Sequence, residues 1–63
     1  MDDEKFNMSM RKFLKQVGVT SQQQIEAAVR GSGKTSGSVP VKIVLTAEGL
    51  DLEHVVEGEI ELG

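Results

Sequence analysis

The chain predicts an α+β fold. Two N-terminal helices, at about 3–17 and 21–30, precede an antiparallel β-hairpin with strands at about 40–47 and 50–62, the whole completed by dimerisation. Three observations carry this expectation. Apolar residues recur every three or four positions before residue 31 and every second position after residue 40. Between the two patterns stands Gly31-Ser-Gly-Lys-Thr-Ser-Gly-Ser-Val-Pro40, a stretch of turn-forming and flexible residues. Charge also changes sign across it: residues 1–34 sum to +2 and residues 35–63 to −5, within a net charge of −3. The two halves can therefore attract each other, within one chain or between two.

The first helix is read from Phe6, Met10, Phe13, Leu14 and Val17, which share an arc of roughly 100° at helical spacing. Asp2 or Asp3 can cap its start, Lys12 and Lys15 suit its far end, and Gly18 in the left-handed conformation would stop it. Thr20-Ser-Gln-Gln23 reads as a capping box that opens a second helix, with Ile25, Ala28 and Val29 as its apolar face and Gly31 as its end. Opposite the first stripe lie Lys5, Met8, Arg11, Lys12 and Lys15. A solvated basic face accounts for them; as a candidate partner surface, Met8, Arg11, Lys12 and Lys15 would suit an acidic protein.

In the second half Val41, Ile43 and Leu45 alternate with Lys42, Val44 and Thr46, and Leu50, Leu52 and Val56 alternate with Asp51, Glu53 and Val55. Parity places odd residues of the first strand on the same face as even residues of the second, so the loop has an even number of residues. The shortest solution is Glu48-Gly49, which sets Leu45 opposite Leu52, Ile43 opposite His54 and Val41 opposite Val56. Ile60 and Leu62 then overhang the first strand, facing Gly37 and Thr35. An unpaired apolar edge needs a cover, and a second copy is the obvious one. The rival is a turn at Glu57-Gly58 into a short third strand. The candidate dimer interface is Phe6, Met10 and Phe13 with Leu52, Val56, Ile60 and Leu62.

Size reinforces the expectation of a dimer. Sixty-three residues make one small domain, 1–63, with a helical half (1–30), a linker (31–39) and a hairpin half (40–63). A chain of this size buries only about 60% of the surface it exposes when unfolded. There is no cysteine, so disulfides and thiolate metal sites are excluded, and oligomerisation remains as reinforcement. Cysteine-free composition fits a reducing interior. Asp2, Asp3 and Glu4 oppose a basic leader, and no apolar run is long enough to span a bilayer. A soluble cytoplasmic protein without membrane contact is expected.

Little in the chain points to catalysis. Ala28-Val-Arg-Gly-Ser-Gly-Lys-Thr35 imitates a nucleotide-binding loop, but such a loop follows a strand and opens a helix; here a helix enters and a strand leaves. Phe13 through Ile25 has the look of a helix-turn-helix with the hairpin as a wing. Only Arg30 and Lys34 lie near the second helix or the following loop, however, and the acidic hairpin would meet phosphates. His54 lacks companion ligands on its face, and Glu53, Glu57, Glu59 and Glu61 lack the spacing of a calcium loop. No catalytic, cofactor or metal site is expected, and the chain reads as a non-enzyme.

From Phe6 to Arg30 (Phe6-Asn-Met-Ser-Met-Arg-Lys-Phe-Leu-Lys-Gln-Val-Gly-Val-Thr-Ser-Gln-Gln-Gln-Ile-Glu-Ala-Ala-Val-Arg30), and again from Leu45-Thr-Ala-Glu-Gly-Leu-Asp-Leu-Glu-His-Val-Val-Glu-Gly-Glu-Ile-Glu-Leu62, the chain resembles a family of short uncharacterised proteobacterial proteins. The resemblance spans almost everything but the linker. It implies a bacterial, cytoplasmic protein and carries no activity or catalytic residue. The expected function is a non-enzymatic homodimeric protein-interaction module, with a helix-turn-helix-like DNA-binding protein as the alternative.

Overall fold

A computed structural model describes all residues, 1–63. The order of elements is one helix, α1 (Asp3–Ser32), and two strands, β1 (Ser38–Thr46) and β2 (Glu53–Glu61), paired as an antiparallel hairpin. The chain divides into two compact units, Met1–Gly33 and Lys34–Gly63.

The class is α+β, but the two expected helices are one. Asp2 is its N-cap, with the carboxylate accepting from the amides of Glu4 and Lys5, each at 3.1 Å. Asp3 and Glu4 complement the positive end of the dipole. The stop lies at Gly33, in the left-handed conformation at φ 76°, and not at Gly18 or Gly31. Gly18 is helical, and Thr20 opens nothing: its hydroxyl donates back to the Gln16 carbonyl at 2.8 Å within the same helix. Magnitudes explain why. A glycine in a helix interior costs about 1 kcal/mol relative to alanine, whereas nucleating a new helix carries a factor of about 10⁻³, or about 4 kcal/mol.

The apolar pattern agrees with an unbroken helix. Phe6, Val17 and Ala28 lie eleven residues apart, as do Met10 and Ser21, Leu14 and Ile25, and Gly18 and Val29. Eleven residues are almost a whole number of turns, so the stripe passes Gly18 without changing phase. Val17, Ser21, Ile25 and Val29 are its half-buried members.

The hairpin keeps the predicted faces and changes the predicted register. Leu45 pairs with His54, Ile43 with Val56, Val41 with Gly58 and Val39 with Ile60, each two residues beyond the expected partner. The cause is the turn. Leu50 N–H donates to the Ala47 carbonyl at 3.3 Å, with Gly49 at φ 83° in the third position. No non-glycine residue has positive φ, so Glu48 cannot supply the first half of a primed turn, the kind that joins strands through two residues. The loop therefore extends over Ala47–Leu52, between strands ending at Thr46 and starting at Glu53. Six residues preserve parity, which is why the faces survive. Lengthening a loop from two residues to six costs only about 1 kcal/mol of closure entropy.

Two expectations fall with the register. The second strand does not overhang: Ile60 faces Val39, and the Leu62 amide donates to the Gly37 carbonyl at 2.8 Å. No third strand forms, since β2 runs unbroken through Glu57 and Gly58. Leu52 leaves the strand for the loop and is exposed.

No side chain in the chain is buried. Val39, Val41, Leu45, Ile60 and Leu62 are half-buried on one face of the hairpin, and Ile43 and Val56 are exposed there.

Candidate functional site

The helix presents its residues by phase alone. Phe6, Met10, Phe13 and Leu14 share one face and remain 48%, 41%, 50% and 51% exposed. These are large apolar side chains, and burial of each is worth roughly 1.5–3 kcal/mol. On the opposite face the candidate partner residues Met8, Arg11, Lys12 and Lys15 are all exposed. Val19, eleven residues after Met8, joins that face.

The hairpin has two unlike faces. Val39, Val41, Ile43 and Leu45 stand across from Ile60, Gly58, Val56 and His54. The reverse face pairs Ser38 with Glu61, Pro40 with Glu59, Lys42 with Glu57, Val44 with Val55 and Thr46 with Glu53. Lys42 is thus opposite Glu57, where the two-residue loop would set it across from Val55. Gly58 contributes no side chain, and an open depression forms there, bordered by Pro40, Val41, Lys42, Glu57 and Glu59.

The edges follow from one hydrogen bond. Gly37 and Leu62 are in register with the ladder and bonded to each other. Antiparallel pairs alternate between bonded and non-bonded. The odd residues of β1 therefore turn their backbone groups inward, while Ser38, Pro40, Lys42, Val44 and Thr46 turn theirs to the outer edge. On β2 the outward groups belong to Glu53, Val55, Glu57, Glu59 and Glu61. Pro40 has no amide to offer and removes one donor from the β1 edge.

The chemistry-bearing motifs do not come together. Gly31-Ser-Gly-Lys34 lies at the C-terminal end of α1, where the dipole is negative and disfavours phosphate, and β1 follows it. His54 lies exposed across from Leu45. No group of three His, Cys, Asp or Glu side chains could hold a metal ion. The helix-turn-helix is overturned, because residues 17–21 are helical and no second helix exists to enter a groove. Gln22, within that segment, donates to Glu26 Oε1 at 3.1 Å. No helix is long and apolar enough to cross a membrane.

Two features escaped the sequence reading. Val39 belongs to β1, although residues 31–39 read as linker; the alternation of Val39, Val41, Ile43 and Leu45 already pointed back to it. The Val44–Val55 pair is the other, because a two-residue loop would set Val44 opposite Glu53.

Compared with known proteins, the chain matches a family of unknown function, DUF6494, over residues 1–63, and belongs to it. No curated protein and no solved structure matches it.

Proposed function

We propose that the protein is a non-enzymatic homodimeric interaction module whose apolar faces are covered by a second copy. The observation that carries this is that neither unit by itself buries a side chain: Phe6, Met10 and Phe13 stay exposed on the helix, and Ile43 and Val56 on the hairpin. A two-stranded hairpin is at best marginal alone, and most helical stability in proteins comes from packing an amphipathic face. The helical unit, Met1–Gly33, carries +1 and the hairpin unit, Lys34–Gly63, carries −4, so unlike units of two copies attract each other. Phe6, Met10 and Phe13 on the helix, with Val56, Ile60 and Leu62 on the hairpin and Leu52 at its loop, form the shared surface. A standard interface takes about 800 Å² from each partner, a modest share of the 5769 Å² each chain exposes.

The basic face of Met8, Arg11, Lys12 and Lys15 stays free in such a dimer and suits an acidic partner protein. A bacterial cytoplasmic setting accords with the lack of cysteine. Light scattering over a hundredfold range of concentration tests the assembly: twice the 6.8 kDa chain mass is expected, and 6.8 kDa throughout would overturn it.

A further inference from the structure

We propose that the second copy joins at the outer edge of β1, antiparallel to its mate and with Val44 opposite Val44, to make a four-stranded sheet. This rests on the homodimer reading and specifies its geometry.

Two edges are available, and charge separates them. A twofold pairing of β2 edges would set Glu53 against Glu61 and Glu57 against Glu57, and like charges directly opposite are destabilising. The β1 edge carries a single charge, Lys42, and Val44 and Thr46 beyond it. Twofold symmetry allows few registers there. Centring on Lys42 opposes two ammonium groups and places Pro40, which has no amide, across from Val44. Centring on Ile43 brings Pro40 opposite Thr46 and leaves that carbonyl without a donor. Centring on Val44 pairs Lys42 with Thr46 of the mate and keeps Pro40 outside the ladder. Every outward amide from Lys42 to Thr46 then finds a carbonyl.

The same register also gives an exposed apolar pair new neighbours. Val44 and Val55 face each other at 54% and 42% exposure among Lys42, Thr46 and four glutamates. Across the twofold axis they become one row, Val55–Val44–Val44–Val55, spanning four strands. On the other face Ile43 stands beside Leu45 of the mate, so the two apolar faces merge into one. Lys42 lies between its own Glu57 and the mate's Thr46, which relieves the acidic surface without an ammonium pair.

Amide hydrogen exchange on the full chain, with Val44→Pro and Glu57→Pro variants weighed by light scattering, tests this. Both prolines replace outward-pointing amides, as Pro40 already does, so neither removes a bond from the hairpin. In the native chain the amides of Lys42, Val44 and Thr46 should exchange on the order of a hundredfold more slowly than those of Val55, Glu57 and Glu59. V44P should weaken the dimer about a hundredfold through the two bonds it removes across the axis, and E57P should leave its mass unchanged. A native dimer whose β1 and β2 outer amides exchange alike overturns the edge pairing while the dimer stands. A native chain that is monomeric overturns the homodimer itself. The exchange pattern decides even if V44P does not fold.

Discussion

Val44 stands directly opposite Val55 on the face of the hairpin that otherwise carries Lys42, Thr46 and four glutamates. A cross-strand pair of β-branched side chains stabilises a hairpin by roughly 0.2–1 kcal/mol. Its place near the loop end of both strands, two residues in from Thr46 and Glu53, on the outward-bonding phase, matters more. There it marks the one length of edge that is neither acidic nor interrupted by proline.

The continuity of α1 predicts opposite effects at two of its glycines. Gly18 is helical with open space where a Cβ would project, so Gly18→Ala should stabilise the chain by about 1 kcal/mol. Gly33 caps the helix at φ 76°, and Gly33→Ala should destabilise it by about 1 kcal/mol. Urea unfolding followed by circular dichroism measures both. Destabilisation by Gly18→Ala would mean that the helix breaks there.

The register depends on Glu48 refusing positive φ. Glu48→Asn creates an Asn-Gly sequence, which favours the type I′ turn of a two-residue loop. It should therefore shift pairing by two residues and bring Leu45 opposite Leu52 in place of His54. Cross-strand nuclear Overhauser contacts read this directly; an unchanged Leu45–His54 contact would show that something other than the turn sets the register.

The exposed stripe of α1 predicts a mutational cost larger than its exposure in one chain warrants. Phe13→Ala should destabilise the protein by about 3 kcal/mol, as for a buried phenylalanine, and Met8→Ala on the opposite face by less than about 0.5 kcal/mol. Chemical unfolding at fixed protein concentration compares the two. Equal, small effects would mean that the stripe stays in water.

Period and parity were legible in the sequence, and joints were not. The switch from helical spacing to alternation located one helical and one hairpin unit, and parity assigned Val41, Ile43 and Leu45 to the face of Val56 and Ile60. Gly18 misled because it stands at a plausible stop before Thr20-Ser21, two residues that cap helices as readily as they sit within them. The phase of the stripe held the answer, since Phe6, Val17 and Ala28 keep their spacing across it. The register misled because Gly49 suggested a two-residue turn, which demands more than one glycine supplies. The overhang of Ile60 and Leu62 followed from that register and disappears with it.

The dependence of the thermal unfolding midpoint on protein concentration tests most directly whether a second copy completes this fold. If folding and dimerisation are coupled, the midpoint should rise by on the order of 10 °C over a hundredfold increase in concentration. A midpoint independent of concentration would contradict the account, because the chain would then be stable without a second copy.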